Sequence, residues 1–376
     1  MLAYRPAKER MDMAQQIWVN ARFLDQSLTG VQRYAYEICQ RLPQASLVAP
    51  CPPSSDYSGL ADKNIAVVRT AIGPYELQGH AWDQLVLPRN IPKHSLLWSP
   101  GGSGPLLIEK QVVTIHDIAH IEHPEWYSKA FGQWYKALYP LLTRRIRKIL
   151  TVSEFSRMKI INHFNVAPEN VVAIPLGVDS RFTVLPVSTV EQVVSKYGIT
   201  TPYLLTVAAQ SSRKNFQRLY RAWQRIADDL ENVSLVIVGE AGLAFSDSAI
   251  ADMPPKRTLQ LGRVPDGDLV ALYNGAQAFL YPSLYEGFGL PALEAMACGV
   301  PVLTSNLTSL PEVCGEAALL VDPYDESAIA EGITRISSSS DLRNKLREKG
   351  LARVQQYTWD RTAELTWKEL QEVAHE

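Results

Sequence analysis

Short apolar segments alternate with helical patterns over nearly the whole chain, and this alternation most constrains the fold. Most of the apolar runs are bounded by Pro, Gly or polar clusters. The thirteen runs are residues 17–20, 46–49, 65–69, 96–99, 112–115, 149–152 and 171–175 in the first half, and 203–207, 235–238, 259–261, 278–281, 300–303 and 318–321 in the second. Strands separated by helices are typical of parallel sheets with helical crossovers. At 376 residues, the chain is long enough for two such units, so we predict an α/β protein with two Rossmann-like doubly wound domains.

A stretch rich in Pro, Ser, Thr and Val at residues 181–190 is predicted to link the two halves. The predicted units are residues 13–182 for the first domain, 200–357 for the second, and a C-terminal helix over 358–376 that joins the first. Trp359 and Trp367 favour docking of that helix, since large aromatic side chains need a surface to cover them. Residues 1–12 are polar and without pattern, and we expect a frayed extension.

Composition excludes several classes of protein. The formal net charge of −2 does not favour a nucleic-acid partner. The sequence has neither an apolar run of membrane-spanning length nor a start that resembles a secretory signal. The four cysteines lie far apart, and the spacing of His116, His120 and His123 matches no standard zinc pattern. These features predict a cytoplasmic protein without a metal site, in which His120 and His123 are ordinary loop residues.

The segment from Glu286 to Glu294 concentrates the chemistry of the second half. Its glycines let backbone N–H groups approach a ligand, and Pro291 fits the first position of a helix that Gly299 ends. Glu294 is then expected in the first turn, with Glu286 in the loop before it. Because a helix N-terminus attracts negative charge, we predict a phosphate site beside two carboxylates that can bind hydroxyl groups.

Other polar groups and glycines follow predicted strands, where parallel sheets bind their ligands. Arg213 and Lys214 lie in a strand-to-helix loop and suit a diphosphate. Gly30 lies between a strand and a helix predicted over residues 34–42, and His116 follows a strand directly. Backbone groups near Gly239 and Val264, at two further strand ends, could hold the edge of a nucleobase.

Residues 129–159 are basic and aromatic, and two interpretations of this segment stay open. Its eight Lys and Arg residues are accompanied by Glu154 as the one acidic residue. Phe131, Trp134, Tyr135 and Tyr139 lie among the cations. The segment is either a core helix with a solvated basic face or an interfacial helix that contacts anionic lipid.

These motifs together resemble a known family. The matching segments are Thr29-Gly30-Val31-Gln32-Arg33-Tyr34, Thr114-Ile115-His116-Asp117, Val152-Ser153-Glu154-Phe155-Ser156, Pro175-Leu176-Gly177-Val178-Asp179, Arg213-Lys214-Asn215, the Glu286–Glu294 pair and Gly299-Val300-Pro301-Val302. They resemble retaining glycosyltransferases of family four, most closely the mannosyltransferase-like members of bacterial surface polysaccharide synthesis. The resemblance extends from about Ile17 over nearly the whole chain. It implies the GT-B architecture, in which two Rossmann-like domains face a cleft and the final helix crosses back to the first domain.

The resemblance also implies roles for individual residues. Glu294 would bind the ribose hydroxyls, and Glu286 the hydroxyls of the donor sugar. Arg213 and Lys214 would neutralise the diphosphate leaving group, and His116 would sit over the sugar near the reacting carbon. The other donor-binding residues would be Gly30, Phe288, Gly289, Leu290, Val264 and Gly239. The chain departs from many members at Ala208-Ala209, where they have Gly-Arg, so Arg213 is the nearby guanidinium.

The implied reaction needs neither a cofactor nor a metal. The donor would be GDP-mannose, with a UDP- or dTDP-sugar as the alternative. The acceptor would be a lipid-linked oligosaccharide of lipopolysaccharide or a related polymer, reached peripherally at the inner face of the cytoplasmic membrane.

Other functions explain fewer of these residues. A glycoside hydrolase also uses two carboxylates but needs no diphosphate site. A sugar phosphorylase of the glycogen type needs a pyridoxal lysine context, which we do not find, and a nucleotide-sugar epimerase shares the architecture. A non-catalytic nucleotide-sugar-binding protein is the alternative from a different class. It predicts the loss of Glu286, Lys214 or His116, and all three are present.

Overall fold

The computed structural model describes residues 17–26, 28–43, 45–60, 62–68, 79–207, 211–239 and 256–376. The first sheet is parallel and has seven strands in the order β3-β2-β1-β4-β5-β6-β7. Its strands are β1 Ile17–Asn20, β2 Ser46–Ala49, β3 Asn64–Val67, β4 Leu96–Ser99, β5 Gln111–Thr114, β6 Lys148–Thr151 and β7 Val171–Ala173. The second sheet is also parallel, in the order β10-β9-β8-β11-β12-β13. Its strands are β8 Tyr203–Val207, β9 Ser234–Val238, β10 Thr258–Gly262, β11 Ala278–Tyr281, β12 Val302–Ser305 and β13 Ala318–Val321.

Helices connect these strands. They are α1 Gly30–Arg41, α2 Leu87–Asn90, α3 Ala119–Glu122, α4 Lys129–Leu142, α5 Glu154–Phe164, α6 Val187–Lys196, α7 Phe216–Ile226, α8 Asp266–Gly275, α9 Leu290–Ala297, α10 Leu310–Cys314, α11 Glu326–Ser338, α12 Ser340–Val354 and α13 Trp359–His375. A π-helical turn at Trp82–Val86 leads into α2. Within the described ranges, none of these helices is long and apolar enough to span a membrane.

The two sheets confirm the predicted α/β class and the GT-B architecture. Every predicted run contains a strand whose ends differ from the prediction by at most two residues; position 69 lies outside the described residues. The runs are easy to recognise because strands such as β2, β4 and β5 are buried on both faces. In each sheet the strand order reverses beside the first strand, between β1 and β4 and between β8 and β11. The carboxyl ends of these strands mark where ligands bind in such folds.

Helix α13 docks on the first domain, as predicted. It packs against α1 and lies near β4 and β5, and Trp359 is buried beside the ring of Tyr34. The Thr362 hydroxyl donates to the carbonyl of Pro175 at 2.8 Å, and Lys148 pairs with Glu369 at 2.5 Å. The helix therefore belongs structurally to the first domain although it follows the second in sequence.

Part of the predicted linker is helical. Helix α6 begins at Val187 and packs against α8 of the second domain, where the Tyr197 hydroxyl donates to Asp268 at 2.6 Å. Val190 and Val194 lie beside Gly275, which leaves room for them. The prediction was wrong here because a valine-rich segment has low helix propensity, and tertiary packing overrides that preference.

The basic segment 129–159 is mostly integrated into the first domain. One face of α4 is buried in the core through Tyr135, Leu138, Tyr139 and Leu142. Three cations form ion pairs within the protein: Lys148 with α13, Lys159 with Glu122 and Arg157 with Glu154. Phe131 and Leu141 remain exposed, as do Arg144 and Arg145. The interpretation as a core helix therefore explains the buried aromatic residues. The surface available for lipid contact is limited to the exposed side chains and is smaller than the whole segment.

Candidate active site

The loop before α9 joins β11 to the helix that carries Glu294. Gly289 has φ +108°, a left-handed conformation that glycine adopts readily, and it is the N-cap of α9. Leu290 is the first helical residue, and Gly299 follows the helix at φ +70°, as its predicted end. Because the helix begins one residue before Pro291, Glu294 lies in the second turn rather than in the predicted first turn.

Hydroxyl groups from two other segments fix this loop. The Ser309 hydroxyl, at the start of α10, lies 2.9 Å from the carbonyl oxygens of both Glu286 and Phe288. The Ser153 hydroxyl of the first domain donates to the carbonyl of Gly287 at 2.6 Å. Two hydroxyl groups thus lie against three successive carbonyl oxygens, which would otherwise repel an anion, and Ser309 shares its one proton between two of them. The loop can therefore bind phosphate through the backbone N–H groups at the start of α9.

Arg213 and Lys214 lie on the turn that follows β8. Asn215 ends this turn in a left-handed conformation, which asparagine tolerates better than most residues. Its side-chain amide donates to the carbonyls of Pro282, at 2.9 Å, and Pro323, at 2.7 Å. The N–H of Leu284 donates to the carbonyl of Arg213 at 2.8 Å. The turn is therefore joined to the end of β11, which brings both cations to Glu286.

Glu286 is the centre of a buried polar cluster. Its carboxylate accepts from Arg213 Nη1 at 2.9 Å and from Lys214 Nζ at 2.8 Å. The Tyr281 hydroxyl donates to Glu286 Oε1 at 2.7 Å and accepts from Lys214, whose ammonium lies 4.7 Å from the centre of the tyrosine ring. Burial alone would raise the pKa of Glu286, but the charges of Arg213 and Lys214 lower it to about 2. Glu286 is therefore ionised at physiological pH.

This cluster can exchange partners. Without a ligand, the one carboxylate of Glu286 pairs with both cations, so the three groups together keep one positive charge that an anion can balance. A diphosphate can take its place on Arg213 and Lys214, and Glu286 is then available for hydroxyl groups of a sugar. The role of Tyr281 was missed, since a tyrosine at the end of an apolar strand has no feature in sequence that separates it from a core residue.

Glu294 lies beside an ion-pair network that connects the two domains. Arg33 of α1 pairs with Asp179 at 3.1 Å, and Arg181 pairs with Asp266 of α8 at 2.6 Å. Burial raises the pKa of Glu294 to about 7, although the charges of Arg33 and Arg181 act in the opposite direction. Glu294 therefore changes its charge near neutral pH, whereas Glu286 does not.

His116 lies at the end of β5 in the first domain and faces the loop that precedes α9 in the second. Its Nε2–H donates to the carbonyl of Pro100 at 2.9 Å, and its ring meets the edge of Tyr34. Burial lowers the pKa of His116, so the ring is neutral and Nδ1 is its hydrogen-bond acceptor. A Cβ added at Gly287 would stand 2.9 Å from the carbonyl oxygen of His116. Gly287 thus permits the close approach that brings the predicted catalytic residues of both domains together.

The other predicted donor-binding residues lie at strand ends or helix starts. Gly30 is the first residue of α1, four residues before the predicted helix start, and no atom lies within 4 Å of the position of an added Cβ. The N–H of Gly239 donates to the carbonyl of Gly262 at 2.7 Å, which joins the ends of β9 and β10, and Val264 follows β10. Their contacts with a donor remain predictions. Ala208 and Ala209 lie outside the described residues.

The other two histidines of the segment after β5, His120 and His123, pack against aromatic side chains. His120 is buried in α3 rather than in a loop, and its ring contacts Tyr135 and Tyr139. His123 stacks on Trp126. Where the structure describes the chain, no three His, Cys, Asp or Glu side chains are grouped as metal ligands.

Comparisons with known proteins identify the class. A family model described as Glycosyltransferase Family 4 matches residues 28–182, and one described as Glycosyl transferases group 1 matches residues 191–353. O-antigen chain mannosyltransferase B of Escherichia coli is 33% identical over 361 residues, which cover 89% of this chain and 93% of that protein. The serotype-specific mannosyltransferase WbdA of Escherichia coli is 28% identical over 268 residues, or 68% of this chain and 32% of that one.

The fold has close structural counterparts. The crystal structure of Anabaena Alr3699/HepE in complex with UDP and glucose superposes with a TM-score of 0.71 at 16% identity, covering 95% of this chain and 99% of that one. The fold and the site together define a GT-B glycosyltransferase. The chain belongs to glycosyltransferase family 4, and it is an enzyme of that family.

Proposed function

We propose that this enzyme transfers mannose from GDP-mannose to a lipid-linked oligosaccharide during the synthesis of a surface polysaccharide. The relatives that are named mannosyltransferases support the choice of sugar. The observation that most supports transfer from a nucleoside diphosphate is the pairing of Arg213 and Lys214 with a single carboxylate at the carboxyl edge of the second sheet. The alternative donor is a UDP- or dTDP-sugar. The structure of HepE, which contains UDP and glucose, supports the UDP-sugar.

The reaction breaks the bond between the sugar C1 and the diphosphate oxygen and forms a bond from C1 to the acceptor oxygen. Negative charge develops on the leaving phosphate, where Arg213, Lys214 and the N–H groups of Gly289 and Leu290 stabilise it. The acceptor attacks from the same face through an oxocarbenium-like state, so the configuration is retained. The leaving phosphate takes the proton of the acceptor hydroxyl. These residues supply the charge stabilisation without a metal or a cofactor.

A panel of nucleotide sugars tests the donor. GDP-mannose, UDP-glucose and dTDP-glucose are compared by thermal unfolding and by release of the nucleotide. We expect GDP-mannose at a hundred times its Kd to stabilise the protein by about 2.7 kcal/mol and to be turned over. Turnover of another sugar nucleotide in its place would replace the proposed donor. Binding without transfer or hydrolysis would instead identify a non-catalytic nucleotide-sugar-binding protein.

Glu294→Gln tests the ribose contact, because the ionised carboxylate offers two charged acceptor oxygens to the hydroxyls, whereas the amide offers one neutral acceptor oxygen. With a pKa of about 7, Glu294 should make GDP binding stronger as the pH rises from 6 to 8. The variant should bind GDP about tenfold more weakly at pH 8 and lose this pH dependence. Isothermal titration calorimetry measures the affinity for GDP at pH 8 and its change with pH. The control is Glu316→Gln, which alters an exposed side chain.

The same variant should be more stable than the wild type at high pH. The pKa of Glu294 rises from 4.5 to about 7 on folding, so its stabilising contribution is complete below pH 4.5 and is lost as the pH passes 7. Removing the charge should raise the free energy of unfolding at pH 8 by up to about 3 kcal/mol. A variant with wild-type stability at pH 8 and unchanged pH dependence of GDP binding would contradict the role of Glu294.

We also propose that the enzyme is cytoplasmic and contacts the inner face of the membrane peripherally, where its lipid-linked acceptor lies. The lipid-facing surface is the exposed part of α4 and the turn after it: Phe131, Lys136, Leu141, Arg144 and Arg145. Apolar side chains between cations are the composition of an interfacial helix.

Vesicle binding tests this surface. The double variant Arg144→Gln and Arg145→Gln should bind anionic phosphatidylglycerol vesicles more weakly than the wild type, and salt should weaken binding of the wild type. The control, Arg361→Gln and Lys368→Gln, makes the same change of charge on α13 at exposed positions. Equal binding by both double variants, or binding insensitive to salt, would return the segment to a purely structural role.

A further inference from the structure

The start of α5 in the first domain and the start of α10 in the second contact each other through charged and polar groups. The carboxylate of Glu312 accepts from the backbone N–H groups of Glu154, at 2.9 Å, and Phe155, at 3.1 Å. These are two of the N–H groups that a helix leaves without partners, and the helix dipole adds to their attraction for a carboxylate. Glu312 thus binds the N-terminus of α5 from across the domain boundary.

Ser153 makes the complementary contact in the opposite direction. Its hydroxyl caps α5 by accepting from the N–H of Ser156 at 3.1 Å, and it donates to the carbonyl of Gly287 at 2.6 Å. Ser156 adds a longer hydrogen bond, of 3.3 Å, to the same carbonyl. Ser153 and Ser156 are fully buried, so these bonds are shielded from water.

Aromatic packing extends the contact on the other side of the loop. Tyr285, directly before Glu286, is buried, and the rings of His123, Trp126 and Phe155 surround it. All three belong to the first domain. The residues on both sides of Glu286 are therefore held by the first domain, although the loop itself belongs to the second.

We infer that Ser153 and Glu312 are positioning residues, which hold the donor-binding loop in its working conformation when the two domains are closed. We call these two residues, with the carbonyl of Gly287, the interdomain clasp. When the domains separate, the hydrogen bonds of the clasp break. The carbonyl of Gly287 and the N–H groups of α5 are then exposed to water, and Glu286 is no longer held in its orientation. The clasp thus couples closure of the cleft to the geometry around the developing charge. The part of this inference that concerns transfer rests on the proposed function.

The test compares Glu312→Gln with the control Glu316→Gln, an exposed glutamate in the turn after α10. Glutamine keeps one acceptor oxygen but loses the second and the charge. Hydrogen–deuterium exchange of the ligand-free enzyme follows the amides of Glu154 and Phe155. We expect Glu312→Gln to accelerate their exchange at least about tenfold and the control to leave it unchanged. This measurement needs no nucleotide, so it is independent of the proposed donor.

Kinetics with the nucleotide sugar that the donor panel identifies completes the test. We expect Glu312→Gln to lower kcat about tenfold or more, while the Kd of the free nucleoside diphosphate changes less than about twofold. Ser153→Ala should show the same division between kcat and Kd, and Ser153→Thr, which keeps both the cap and the donor, should restore kcat. Unchanged amide exchange in Glu312→Gln would overturn the clasp whatever the donor is. Unchanged kcat would overturn its role in positioning. Faster exchange along all of α5 would mean local unfolding of the helix and would also overturn it.

Discussion

Replacing Glu286 with alanine is expected to slow glycosyl transfer by about 10²–10³-fold while GDP binds at least as tightly as to the wild type. The two effects differ because Glu286 has different partners in the two states. In the ligand-free protein its carboxylate occupies Arg213 and Lys214, the groups that a diphosphate needs. Its removal frees both cations for the nucleotide but leaves the sugar without its hydroxyl-binding group.

Steady-state kinetics and calorimetry with GDP measure the two effects separately. Glu37→Ala is the matched control, because Glu37 is also a largely buried carboxylate and pairs with Arg41, which in turn pairs with Asp360 of α13. Weaker GDP binding in Glu286→Ala would show that the carboxylate does not compete with phosphate. Transfer at the wild-type rate would remove Glu286 from the site altogether.

Replacing Lys214 with alanine is expected to reduce kcat by about 10²–10³-fold, equivalent to roughly 3–4 kcal/mol of transition-state stabilisation. Lys214 is a compact charge that contacts Glu286 and the Tyr281 hydroxyl in the ligand-free protein. Once the diphosphate has replaced Glu286, the ammonium is already in place when the leaving phosphate gains charge. Lys214→Arg should restore little of the activity, since the larger, fork-shaped guanidinium cannot take the buried position in which a single ammonium contacts both Glu286 and the Tyr281 hydroxyl.

Single-turnover rates and GDP affinity are the measurements for Lys214. Lys196→Ala, which removes a lysine paired with Asp268 at an exposed position, is the control and should keep the wild-type rate. A Lys214→Ala enzyme that loses GDP affinity but keeps its single-turnover rate would mean that the ammonium binds the ground state and the transition state equally. Both variants should retain the wild-type fold, which circular dichroism checks.

The sequence predicted those parts of the fold that local pattern determines. Parallel strands buried on both faces produce continuous apolar runs, so β1 to β13 could be recognised. Gly289, Pro291 and Gly299 signal the limits of α9 through backbone preference, and only the first residue was misplaced, by one position. Helix α6 was missed because its valines favour strand or loop until the packing against α8 decides otherwise.

The parts of the site that the sequence did not predict depend on contacts between distant segments. Ser153 and Gly287 are 134 residues apart, and no local pattern indicates that they meet. Tyr281 resembles any other buried aromatic residue until the positions of Lys214 and Glu286 are known. The shift in the pKa of Glu294 likewise depends on its burial in the folded protein and then on charges from α1, from Asp179 and Arg181, and from α8. Residue type and spacing can suggest which groups react, but their charge states follow from the folded environment.

The return of α13 to the first domain affects how the protein folds during synthesis. Arg41 of α1 and Asp360 of α13 form an ion pair between residues 319 positions apart, and Trp359 completes the core beneath Tyr34. A ribosome that has finished the first domain has therefore not yet made the helix that covers it. The second domain is continuous in sequence, whereas the surface of the first domain that α13 covers stays exposed until the chain is complete. The nascent chain is thus most open to chaperone binding and aggregation over the interval needed to translate the second domain.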